Sequence, residues 1–77
     1  DPAVCSWCKT LIGQIEQLQA KHGRQTVEDY IDELCSIATD EALQVCKDWE
    51  AYGMSKVIDA IMAQEDPTAV CKATGSC

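Results

Sequence analysis

Apolar residues recur near the start of the chain at Val4, Cys8, Leu11, Ile15 and Leu18, spaced four, three, four and three, with Ile12 widening the stripe. That spacing holds one side of a 3.6-residue helix apolar and predicts an amphipathic first helix. Gly23 reads as its C-terminal stop, and Lys21, His22 and Arg24 suit the negative end of the helix dipole. A second stripe, Val27, Tyr30, Ile31, Leu34 and Cys35, predicts a helix opened by Thr26, with Asp29 three residues on as an acidic form of the capping box. Thr39 or Asp40 can cap a third helix toward Tyr52, on the stripe Ala42, Val45, Cys46, Trp49 and Tyr52. Gly53-Met54 breaks it, and Ser55 can cap a fourth helix carrying Val57, Ile58, Ile61 and Met62. Asp66-Pro67 starts a last short turn. Nothing reads as strand, repeat, linker or low-complexity tail, so the pattern predicts an all-α fold.

The six cysteines fall on this helical frame. Cys5 and Cys8 sit one turn apart on one side of the first helix, and an antiparallel partner carrying Cys71 and Cys77 meets them in reverse order. This predicts nested bridges, Cys5 with Cys77 and Cys8 with Cys71. Cys35 and Cys46 then close a hairpin loop of 12 residues. A zinc half-site or a redox dithiol is the other use of a Cys-x-x-Cys pair. Zinc wants a second close pair or a histidine pair, and His22 is the one histidine; a redox motif wants a preceding strand and a βαβ context.

Seventy-seven residues make one domain, too small for a large core, and domains of this size are commonly held by disulfides in oxidising compartments. In the chain-entropy model the long outer loop contributes about 4 kcal/mol and the short one about 3 kcal/mol. No apolar run is long enough to span a bilayer, and the chain opens on Asp1-Pro2 with no basic-then-apolar leader, which reads as a mature product that meets any membrane from the aqueous side. Asparagine is absent, so there is no N-linked glycan site.

The net charge of −7 argues against nucleic acid as a partner, because phosphate binding needs a basic face. All of that charge sits between residues 28 and 50, where Glu28, Asp29, Asp32, Glu33, Asp40, Glu41, Asp48 and Glu50 face Lys47 alone. Glu28 with Asp32, and Asp29 with Glu33, are like-charge pairs at i, i+4 that each cost about 0.2–0.5 kcal/mol while ionised. These acids lack the glycine turn and alternate-ligand spacing of a calcium loop and read as a solvated face; no metal and no cofactor is expected. Trp7, beside the first stripe, suits either a membrane interface or core packing, whereas Trp49 on the third stripe reads as core. His22 suits helix-end stabilisation better than pH sensing. With the cysteines bridged and one histidine at a helix end, no nucleophile with an adjacent base can be named, so no enzyme is expected.

The cysteine gaps of 2, 26, 10, 24 and 5 residues, the segment Asp29-Tyr30-Ile31 leading to Leu34-Cys35, and Gly53 followed by Lys56-Val57-Ile58 before the last cysteine pair resemble the saposin-like proteins, most closely the amoeba pore-forming peptides and their nematode relatives. The resemblance covers the whole chain. It implies a single saposin B-type domain over residues 1–77, a bundle of four to five amphipathic helices with three disulfides that opens like a hinged V to expose its apolar interior to lipid. Members bind phospholipids or glycolipids, and include helpers of lysosomal hydrolases, lipid-transfer proteins and membrane-lytic defence proteins. Two departures are visible here. The cationic surface of the basic antimicrobial branch is missing, and Gly75-Ser76 stand before Cys77 where the amoeba peptides resemble one another in a histidine near the last cysteine that is linked to acid-triggered assembly.

Residues and resemblance together lead to a secreted lipid-binding protein, or one of an acidic vesicle or digestive lumen, that perturbs anionic phospholipid membranes at acid pH. Leu11, Ile15, Leu18, Val27, Tyr30, Ile31, Leu34, Trp49, Val57, Ile58, Ile61 and Met62 are the expected lipid-contacting residues. Glu28, Asp29, Asp32 and Glu33 are the expected pH-sensing group, and a homo-dimer or oligomer on lipid is the expected assembly. The alternatives are a non-lytic lipid-transfer or lipid-presenting activator of a hydrolase, and a plain binding module for another protein.

Overall fold

Five helices follow one another in the computed structural model, which describes all 77 residues: α1 (Pro2–Gln19), α2 (Arg24–Ile37), α3 (Asp40–Tyr52), α4 (Met54–Met62) and α5 (Pro67–Ala73). No strand is present. At the start of α1 the Asp1 carboxylate accepts the Ala3 N–H at 2.9 Å and Pro2 fills a position whose N–H would have no partner. At α5 the same device recurs, with Asp66 accepting from the Ala69 N–H at 3.2 Å and Pro67 behind it.

Three boundaries differ from the sequence pattern. Gly23 does not stop α1, which ends at Gln19 and turns at Ala20; it is instead the N-cap of α2, in extended conformation. The helix therefore opens at Arg24, Thr26 lies within its first turn, and the expected capping box does not form. Arg24 belongs to α2 and not to the C-terminal end of α1. Likewise Ser55 lies inside α4, because Gly53 is the N-cap. Thr39 caps α3 by position without a side-chain hydrogen bond.

Gly53 is the whole connection between α3 and α4. Its N–H donates to the Trp49 carbonyl at 2.9 Å, closing α3, while its own carbonyl accepts from Lys56 and Val57 at 3.0 and 3.2 Å, opening α4. Serving both helices requires φ of +121°, which a residue without Cβ reaches at least cost.

The stripes meet in one core. Val4, Cys8, Leu11, Ile12 and Ile15 from α1 pack with Val27 and Ile31, Val45 and Trp49, Val57, Ile58 and Ile61, and Val70 and Cys71 from the other four helices. Burying each aliphatic side chain here is worth about 1.5–3 kcal/mol. Helix α1 touches all four of the others, which makes it the axis of the bundle.

The disulfides pair as the helix geometry predicts: Cys5–Cys77, Cys8–Cys71 and Cys35–Cys46, with Cα separations of 4.5, 5.9 and 5.8 Å. The tail reaches Cys5 because the Ser76 and Cys77 N–H groups both donate to the Cys71 carbonyl, wrapping the chain back past the end of α5.

Candidate lipid-contacting surface

The residues expected to touch lipid are brought together, but facing one another. Leu11, Ile15, Val27, Ile31, Trp49, Val57, Ile58 and Ile61 are buried in the core. Leu34 and Met62 pack partly buried against it, Leu18 is half-buried, and Tyr30 is the most open of the set. In this closed form the set meets a bilayer only if helices separate.

The apolar groups that already face solvent are a different set: Ile37 at 78% exposure, Trp7 at 47%, and Tyr30, Leu43 and Tyr52. Tyr52, read on the core stripe of α3, lies at the surface with the Lys56 ammonium 5.5 Å from its ring centroid. Leu43 was legible in principle, since it falls off the α3 stripe. Ile37 was not, because it ends α2 where the period gives out. Trp7 takes the surface option and Trp49 the core option, and the Trp49 indole Nε1 is buried without a hydrogen-bond partner.

The covalent plan divides the bundle. Two bridges fasten α1 to α5 and the tail, whereas Cys35–Cys46 closes the α2–α3 hairpin on itself. The hairpin is thus joined to the rest through peptide bonds alone, at the turn of residues 20–23 and at Gly53. Polar ties across that division are few. The Arg24 guanidinium donates to Asp59 on α4 at 2.6 Å, besides its bond to Glu28 within α2 at 3.3 Å, and Ser76 Oγ donates to Asp48 on α3 at 2.8 Å. The hydrogen bond to Asp59 is the main cause raising the Arg24 pKa. Both partners of that pair are well exposed, so it contributes little to stability.

Of the acids expected to sense pH, Asp29, Asp32 and Glu33 are exposed and Glu28 is half-buried. Glu28 accepts from Arg24 and Asp29 accepts from the Gln25 amide at 2.9 Å. A carboxylate that the sequence reading did not single out is Glu16. It is buried on α1, its Oε2 has no partner, and burial, followed by the charges of Asp66 and Glu65, raises its pKa. Its position in the sequence carries a signal in hindsight, since it adjoins Ile15 on the inner side of the stripe. No group of three or more His, Cys, Asp or Glu side chains is placed to hold a metal ion, and every cysteine is bridged.

Compared with known proteins, the chain is 34% identical over 76 residues to the non-pathogenic pore-forming peptide amoebapore A of Entamoeba histolytica, covering 99% of this chain and 78% of that one. It is 30% identical over 74 residues to the pore-forming peptide amoebapore B of the same species, covering 96% and 77%. The chain belongs to the amoebapore family. Amoebapore C of that species is more distant, at 26% identity over 76 residues. No family model and no solved structure matches the chain. As an amoebapore-family member it has the saposin-like arrangement of five helices and three bridges, and no helix is long and apolar enough to cross a membrane by itself.

Proposed function

We propose that this protein binds anionic phospholipid membranes at acid pH and permeabilises them, by swinging the α2–α3 hairpin away from α1, α4 and α5 so that the shared core turns to lipid. The observation that carries this reading is the combination of kinship with pore-forming peptides and a hairpin that no disulfide ties to the rest of the bundle. Opening exposes Val27, Ile31 and Trp49 on one side and Leu11, Ile15, Val57, Ile58 and Ile61 on the other. Lipid tails replace the lost contacts at little cost, because they are as apolar as the side chains themselves. The proposed setting is secreted or lumenal, with self-association on the bilayer.

Acid promotes this through the carboxylates. At neutrality the stretch of residues 28 to 50 repels an anionic surface, and the net charge approaches zero near the pI of about 4.3. Carboxylates in ordinary surroundings titrate at about pH 3.9–4.3, so anionic-vesicle binding sets in between about pH 5.5 and 4. The test is dye release from anionic vesicles against pH. Replacing Glu28, Asp29, Asp32 and Glu33 with their amides moves the midpoint toward neutrality, while His22→Gln leaves it nearly unchanged. A midpoint that follows His22 and ignores the four acids rules out this mechanism, and lipid transfer without leakage rules out permeabilisation.

A further inference from the structure

Closed protein has to reach the bilayer before it opens, and the core residues are then unavailable. Between Pro2 and Gly23 the chain holds a single acid, Glu16, and that one is buried. The one carboxylate of helix α1 is therefore largely withdrawn from solvent. By contrast α2 exposes Asp29, Asp32 and Glu33, α3 exposes Asp40 and Glu50, and α4 exposes Asp59. The short α5 has no acid of its own but is capped by Asp66, next to Glu65.

The outward side of α1 is also the side with an unpartnered aromatic. Trp7 and Gln14 are seven residues apart, hence on one side of the helix, and Lys21 follows at the same interval in the turn beyond Gln19. Two shallow surface hollows lie along this row. One is lined by Ser6, Trp7 and Thr10, and the other by a group that includes Gln14, Leu18 and Lys21. Lys9 is exposed toward the opposite edge of the helix.

We propose that this outer face of α1 is the surface by which the closed protein first docks on an anionic phospholipid bilayer. The proposal rests on the membrane reading above and assigns it a surface. Trp7 supplies an amphipathic ring suited to the headgroup level, Gln14 and Thr10 offer hydrogen bonds to headgroups, and Lys21 meets the lipid phosphates with no exposed carboxylate on the helix to oppose it. Charge complementarity selects this face over the others even though the whole molecule is anionic. The narrowest dimension of the protein is 19 Å, so acids on the far side lie more than two Debye lengths from the bilayer at physiological salt, where that length is about 8 Å. Lys21, in contact, is not screened in this way. Asp1 at the N-cap, Asp40 and Glu41 of α3, which line a hollow with Asp1 and Val4, and Glu65 and Asp66, which neighbour the inner side of α1 at Glu16, mark the limits of the acid-free area.

The experiment measures binding of the intact, oxidised protein at pH 5 to vesicles of equal phosphatidylserine and phosphatidylcholine, with brominated lipid as a quencher of tryptophan emission. Docking through α1 gives quenching that Trp7→Phe reduces to the part contributed by Trp49, which is buried until the helices separate. It also gives about fivefold weaker binding for Lys21→Gln, the effect of one lysine near an anionic surface. Trp7→Ala weakens binding about tenfold, from burial of roughly half an indole. Lys47→Gln on α3 and Lys72→Gln on α5 remove the same charge from other faces and stay within about twofold. All four side chains are exposed, and circular dichroism confirms that each variant is folded. If Lys47→Gln or Lys72→Gln matches Lys21→Gln, or Trp7 escapes the quencher while vesicles are bound, the face is wrong and the membrane reading stands. If no vesicle binds at any pH, both fall together.

Discussion

Removing the two terminal disulfides singly and then together produces costs that do not add. Cys8–Cys71 spans 63 residues and Cys5–Cys77 spans 72, so either bridge alone closes a loop worth about 4.3 kcal/mol of unfolded-state entropy. Once one is closed, the other closes only the small loop made by residues 5–8 and 71–77, about eleven in all, worth about 3 kcal/mol. Each single removal therefore costs about 3 kcal/mol in chain entropy, while the double removal costs about 7 kcal/mol, more than the sum of the two. Burial separates the singles. Cys8 and Cys71 are fully buried in the core whereas Cys77 is exposed, so replacing the inner pair with alanine adds about 1–2 kcal/mol for the lost sulfur contacts. The assay is urea unfolding of the Cys5→Ala/Cys77→Ala, Cys8→Ala/Cys71→Ala and quadruple variants, with thermal melts in parallel. A shift of about 4–8 °C accompanies each kcal/mol in a domain of this size. Strictly additive costs, or an outer pair that costs more than the inner one, refute the reasoning.

Two further substitutions test features of the fold. Glu16→Gln stabilises the protein at pH 7 by about 1 kcal/mol, because it removes an ionised, unpartnered buried oxygen. The sign follows from the raised pKa: the wild-type group's contribution is complete below the unfolded carboxyl pKa and is lost as pH rises through the folded value, so the advantage of glutamine vanishes toward pH 4. Urea unfolding at both pH values decides it, and a variant equally destabilised at both removes the argument. Gly53→Ala costs about 1–2 kcal/mol through its φ of +121°, since the new Cβ meets only the Lys56 side chain at ordinary contact distance. An unchanged melting temperature shows that the backbone there relaxes freely.

The cysteine pairing and the first four helices were legible because each rests on a period the sequence displays directly, whereas the stretch after Asp66-Pro67, read as a short turn, is the seven-residue α5. Boundaries were less so. Gly23 and Gly53 serve equally as the end of one helix or the start of the next, and the period of apolar residues does not say which. The candidate site was half legible for a deeper reason. An apolar stripe says that a helix side avoids water, and Val27 or Ile61 satisfies that equally against another helix or against lipid. Conversely the outer face of α1 is written as an absence of acids, which hydrophobic periodicity does not register. Glu16 interrupts the apolar inner side of α1 and was passed over, since its environment depends on the α4–α5 turn brought beside it from far along the chain.

Cys5–Cys77 has a topological consequence. The bridge closes residues 5–77 into a covalent ring, so one peptide bond cut anywhere between Cys5 and Cys77 separates nothing. Nicked protein runs at full mass until it is reduced. Two cuts do release a piece when they fall in the 20–23 turn and at Gly53, because the excised hairpin carries a bridge only to itself. A protease must therefore strike at least twice before the molecule comes apart, and cuts at these two joints free the hairpin whole.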